Sequence, residues 1–427
     1  MAAAREGGVW GRPARPRKGD GVSRVSAQIA RRLHGGGVCV FVACLILALA
    51  ASPVHADAIQ EVVDKVSAER YRAYEINLEN MGLGAYGGPL YDQGLRNRDG
   101  WAGDGTLGNQ EARLYLTDQF SAMGLAVSID GIYRNVVAEW PGIQRPQEIY
   151  IVCAHYDTTG GGERPGGDDN ASGTAGVLEA ARVLTQHQFR STLRFIAFNA
   201  EEEWMRGSQE YVNALPKDAH IVGVINLDMI LRPTWDSDAN EPEDLEVETL
   251  EVPFCAAWVQ TFVAAAATYV PSLLIDPNSH YSAVWNAGDQ GPFITAGYAA
   301  FGAIENTTEE IWSGGSNAYY HSAHDASDAL ANNPVSPSGV TYDYDFAVNV
   351  VKATVATLAL QAVLIPPADP NADPEPAAPA DPAADPAPEA GDDSRPAGPV
   401  GARGNAHTAR KELEAVTASP RLVPHSL

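Results

Sequence analysis

The stretch Ile149–Gly173, "IYIVCAHYDTTGGGERPGGDDNASG", places a histidine at the end of an apolar run, an aspartate two residues later, and paired aspartates after a glycine-rich segment. The run 148–155, "EIYIVCAH", is apolar almost throughout, as a strand buried on both faces requires. Two further runs have the same character, "LRFIAFN" (193–199) and "HIVGVINLD" (220–228). Around them, periodicity predicts helices over 109–124, 172–187, 254–270 and 345–364. This alternation predicts an α/β domain: one central, mostly parallel mixed β-sheet with helices on both faces. Chemistry in such sheets gathers beyond the carboxyl ends of the strands.

Those ends carry titratable side chains. His155 closes the first strand, Glu201 and Glu202 follow the second, and Asp228 closes the third. Asp168 and Asp169 lie in the loop before the helix that begins near Ser172, and His321 in "YYHSAHDASD" adds a fifth region. Each piece alone has an ordinary explanation: a satisfied strand-end histidine, a solvated glutamate pair, an aspartate capping a helix. Their occurrence together and in order points elsewhere. Carboxylate oxygens mixed with imidazole nitrogen suit Zn²⁺ or a related divalent ion.

The rest of the chain bounds the possibilities. At 427 residues and 45% hydrophobic content it is long enough for one large or two modest domains. Residues 1–56 read as a signal peptide, in which a basic segment precedes the apolar run Val38–Ala51 and the small residues Val54 and Ala56 offer cleavage after Ala56. A run of that length is shorter than a membrane span, so the mature form is expected off the membrane, in the periplasm or secreted. The formal net charge of −25 grows more negative once that basic leader is set aside, which opposes nucleic acid and anionic membrane as partners. Cys153 and Cys255 remain for the mature chain, and Cys153 reads as a core residue. From Pro366 to Leu427 a Pro/Ala/Asp-rich tract reads as a disordered tail, leaving 57–365 as the folded domain.

Together, "HYDT", "GGDDNASG", "AEEEWMRGS", "NLDM" and "YYHSAHD" resemble the secreted bacterial zinc aminopeptidases of the leucyl aminopeptidase type, relatives of glutamate carboxypeptidase. The resemblance implies a zinc exopeptidase fold holding two Zn²⁺ ions and a peptide substrate cleaved at its N-terminal bond. It implies His155 and Asp228 on one zinc, Glu202 and His321 on the other, and Asp169 bridging, with a cis bond after Asp169. Glu201 would be the general base on the metal-activated water, Asp157 the partner that orients His155, and Tyr320 an aid to the oxyanion. Asp325 is the candidate to orient His321. Gly166 and Gly167 are expected to supply unusual backbone angles.

Trp204 departs from the resemblance where glycine is common, and Gln290 stands where histidine is common. The acidic stretch Asp236–Glu251 reads as a solvated insertion, calcium binding being the other reading. A carboxypeptidase-like or glutaminyl-cyclase-like activity is the alternative, kept open by Arg206 and Arg232 as anchors for a substrate carboxylate. A non-catalytic ectodomain is the third reading.

Overall fold

A computed structural model of the chain describes residues 53–84, 94–100, 105–232, 244–276, 286–305, 319–327 and 342–365. The expected tail and nearly all of the expected leader lie outside these residues. Helix α1 (Pro53–Val63) runs across Ala56, and α2 spans Ala68–Glu79. The other helices are α3 (Leu107–Ala122), α4 (Gly173–Leu184), α5 (Arg206–Ala214), α6 (Pro253–Tyr269), α7 (Gln290–Ala296) and α8 (Tyr344–Gln361). No helix among the described residues is long and apolar enough to cross a membrane.

The sheet has seven strands: β1 (Ala126–Asp130), β2 (Asn135–Trp140), β3 (Arg145–His155), β5 (Ser191–Phe198), β6 (His220–Leu227), β7 (Glu246–Glu248) and β8 (Ala300–Ile304). Their order is β1-β2-β5-β3-β6-β8-β7. The central four, β5, β3, β6 and β8, are mutually parallel, and antiparallel pairings add β2 and β1 at one edge and β7 at the other. A separate pairing joins β4 (Gln188–Phe189) to β9 (Leu364–Ile365).

Alternation along the strands divides the core between the two faces of the sheet. Tyr150, Val152 and Ala154 of β3 join one apolar cluster with α3, α4 and α8, whereas Ile151 and Cys153 join another with α5 and α7. Both faces are therefore covered, as the uninterrupted apolar runs predict. Cys153 and Cys255 are buried free thiols within this packing. Half of the acidic stretch lies outside the described residues, and the described half is not simply a solvated insertion. Glu246–Glu248 form the edge strand β7, with Glu248 2% exposed.

The loop before α4 needs glycine at two points for different reasons. Gly166 has φ +57°, in the left-handed region. Gly167 lacks such an angle; a Cβ there would lie 2.5 Å from the Tyr342 hydroxyl. Space, not backbone freedom, excludes a side chain at 167.

Candidate metal centre and active site

The parallel strands deliver their carboxyl ends to one place. His155 ends β3 and is 1% exposed. Beyond β5 the chain turns sharply at Ala200 (φ 58°), Trp204 (φ 72°) and Met205 (φ 56°), and Glu201 and Glu202 lie on that turn. Asp228 follows β6, the buried wide turn Gly167–Ser172 carries Asp169, and His321 sits at φ 54° in a separate turn.

Two groups of donors result, and Asp169 belongs to both. His155 Nε2 lies 3.3 Å from Asp169 Oδ1 and 3.4 Å from Asp228 Oδ1. His321 Nε2 lies 3.1 Å from Asp169 Oδ2 and 2.9 Å from Glu202 Oε2. Each aspartate oxygen thus faces a different histidine. Although His321 Nε2 is this close to two carboxylates, it makes no directed hydrogen bond, and buried Glu202 Oε1 also lacks a hydrogen-bond partner. Converging donor atoms that do not satisfy one another fit a cation between them. The residues present therefore fit metal in both groups.

Several side chains hold the donors in place. The Asp157 carboxylate accepts the amides of Glu201 (3.2 Å) and Glu202 (3.3 Å), and one of its oxygens is 3.5 Å from His155 Nδ1. It therefore ties β3 to the glutamate turn, besides standing beside the imidazole. Asp325, expected to orient His321, uses its carboxylate differently: it accepts the amides of Asp168 and Asp169, both at 3.0 Å, and the Tyr342 hydroxyl at 2.6 Å. Glu79 of α2 accepts the Ser327 amide at 2.8 Å, anchoring the segment that carries His321. The Asp169–Asn170 peptide bond is cis, and Asn170 donates to the Leu227 carbonyl at 3.0 Å.

Sequence reasoning passed over Arg98, which lies in "LRNRDGW" with no recognisable signal. Its buried guanidinium donates to the carbonyls of Tyr156 (2.8 Å), Leu78 (2.7 Å), Pro165 (2.5 Å) and Gly166 (2.9 Å). Burial pulls it down to about 10, while Asp325, Asp157 and Asp169 pull it up. Each carbonyl left unpaired in a buried site costs about 1–3 kcal/mol. Arg98→Met is therefore expected to lower folding stability by at least about 3 kcal/mol, read from the urea midpoint. Lysine should not restore it, because an ammonium cannot span that fork of acceptors.

Electrostatics sort the carboxyls. Burial pushes the Glu201 carboxyl well up; His155 opposes this, and Asp289, Asp228 and Glu202 reinforce it. Asp169 is lowered despite burial, because His155 and His321 hold its ionised form. Burial lowers His321, but Asp169 and Glu202 outweigh it and bring the imidazole up to about 10. Among carboxyls that are not themselves donors, burial raises Glu305 and Asp289 from ordinary values of 4.5 and 3.8 to about 7. Carboxyls raised in this way contribute stability that is complete below their unfolded values, about 4, and lost as pH rises through about 7. Chelator-treated protein should accordingly unfold at lower urea concentration at pH 8 than at pH 5, and Glu305→Gln should remove part of the difference.

The donors line a cavity of about 430 Å³. Met229, Ile304 and Tyr320 pack together as one apolar part of the lining, to which Trp204 and Met205 also contribute. The Tyr320 ring stacks on His321 with centroids 3.7 Å apart. Among the described lining residues there is no lysine or arginine. Arg232 is 1% exposed with its guanidinium over the Tyr319 ring at 4.8 Å, and Arg206 is an exposed residue at the start of α5. Neither supplies this cavity with a cation.

Residues 135–337 match the model of Peptidase family M28. The chain is 28% identical over 207 residues to a probable zinc metalloprotease of Pyrenophora teres f. teres, covering 44% of this chain and 41% of that protein. It is 30% identical over 207 residues to aminopeptidase YwaD of Bacillus subtilis, covering 46% and 41%. The chain thus spans about two fifths of the length of these relatives. Among solved structures, the Legionella pneumophila LapA aminopeptidase matches with a TM-score of 0.54 at 18% identity over 72% of this chain and 75% of the other. That likeness extends to the fold.

Proposed function

We propose that the protein is an exported aminopeptidase that releases a neutral or apolar N-terminal residue and uses two zinc ions, a reading supported by the match of residues 135–337 to the model of Peptidase family M28. His155, Asp169 and Asp228 hold one ion; Asp169, Glu202 and His321 hold the other. The observation that carries this reading is the division of Asp169 between two histidine-containing groups while Glu201 lines the same cavity and belongs to neither. Bound zinc would lower the pKa of water and polarise the scissile carbonyl.

The chain's own residues do the rest. Glu201, its carboxyl raised by burial, takes the proton of the attacking water and returns it to the departing amine. Asp157 fixes Glu201 and Glu202 through their amides. Tyr320, which lines the cavity, would donate to the developing oxyanion. The substrate's ammonium group finds carboxylates and no competing cation. Its side chain meets Met229 and Ile304. The absence of lysine and arginine from the described lining favours this reading over a carboxypeptidase, whose substrate needs a cationic anchor. Export rests on the basic leader and the apolar run that follows it.

The test is hydrolysis of aminoacyl chromogenic amides and their N-blocked counterparts by the full, zinc-loaded protein. Cleavage confined to free-amino substrates supports the proposal. Preference for blocked peptides with a free carboxylate supports the carboxypeptidase alternative, ring closure of N-terminal glutamine supports the cyclase alternative, and inertness toward all of them supports a non-catalytic ectodomain.

A further inference from the structure

Trp204 is 80% exposed, the most exposed large apolar side chain among the described residues. It lies two residues beyond Glu202, on the turn that presents both glutamates, and lines the same cavity. Its φ of 72° falls where glycine is at ease and an L side chain is not. Exposure forgoes apolar burial and the left-handed backbone disfavours any residue with a Cβ, so the fold itself gains little from an indole at this position.

We propose that Trp204 is a specificity-determining residue that stacks against a bulky apolar or aromatic side chain immediately following the scissile bond. The inference rests on the aminopeptidase reading and adds to it the class of the second residue. Its direction follows from burial. The departing N-terminal residue has its amine among the carboxylates and its side chain against Met229 and Ile304, which are 3% and 7% exposed. Everything beyond the cut bond must leave that enclosed region toward solvent, where the exposed indole stands. An indole suits such a contact because it offers a large flat face governed by only two torsions. Met205, beside it in the chain and also lining the cavity, extends the apolar rim.

The experiment compares Leu-Phe-amide with Leu-Gly-amide as substrates of the zinc-loaded protein and of W204G and W204F. The parent should favour Leu-Phe-amide. In W204G the ratio of the two kcat/KM values should fall about three- to tenfold, mainly through KM, the range expected for one aromatic pair. In W204F the ratio should stay near that of the parent. As a binding readout, Phe-amide should inhibit the parent more strongly than Gly-amide, and W204G should lose that difference. A ratio that does not move in W204G overturns the proposal. So does an equal loss for both peptides, which would make Trp204 a support for the glutamate turn. If the parent cleaves neither peptide, the aminopeptidase reading itself fails.

Discussion

Glu201→Gln is expected to lower kcat by about 10²–10⁴-fold on a leucyl chromogenic amide while the protein keeps its full zinc content. The amide side chain is close in size to the carboxylate, so the turn at Ala200–Met205 and the contacts of Asp157 with the 201 and 202 amides should persist. What is lost is a carboxylate able to accept a proton and return it. KM should change little, because proton transfer belongs to the transition state more than to substrate binding. Kinetics paired with metal analysis make the check. Unchanged kcat would remove Glu201 from the chemistry, and loss of zinc would move it into the donor set.

Asp169→Ala should have the widest effect on the metal centre. Because one oxygen faces His155 and the other faces His321, its removal takes a donor from both groups. If the proposed pair of zinc ions is bound, zinc content should drop from two ions toward none, and activity should fall below detection. His321→Ala withdraws a donor from one group only and should leave about one ion bound. Metal analysis after dialysis separates the two variants. Equal losses would contradict a shared aspartate. The hydrogen bond that the Asp169 backbone N–H donates to the Asp325 carboxylate does not depend on the Asp169 side chain, so the loop should survive in the alanine variant.

Much of the fold was legible because its central strands are buried on both faces and so read as unbroken apolar runs. The expected strands at 148–155, 193–199 and 220–228 correspond to β3, β5 and β6. The helices expected near 109–124, 254–270 and 345–364 correspond to α3, α6 and α8. The edges were less legible. β1 is largely exposed, and β7 lies in a stretch whose acidity suggested solvent, although pairing with β8 buries Glu248. The convergence of His155, Asp169, Glu202 and Asp228 was legible because each ends a strand or precedes a helix, and topology brings strand ends together; His321, in a separate turn, has no such place in the element order. The supports were not. Arg98 acts on carbonyls, Asp325 on amides and Glu79 on a distant backbone, and such contacts leave no pattern in side-chain chemistry.

The Arg98 clamp also bears on where this domain can be cut. The family match begins at residue 135, which invites expression of a shorter version from that point. Arg98 and Leu78 both precede it, yet they close the network around Pro165 and Gly166. A polypeptide started at 135 would keep every proposed zinc ligand and lose the guanidinium that binds the Pro165 and Gly166 carbonyls and whose charge is held by Asp325, Asp157 and Asp169. Such a product should aggregate on expression, so the smallest autonomous version of this protein reaches well upstream of its recognisable portion.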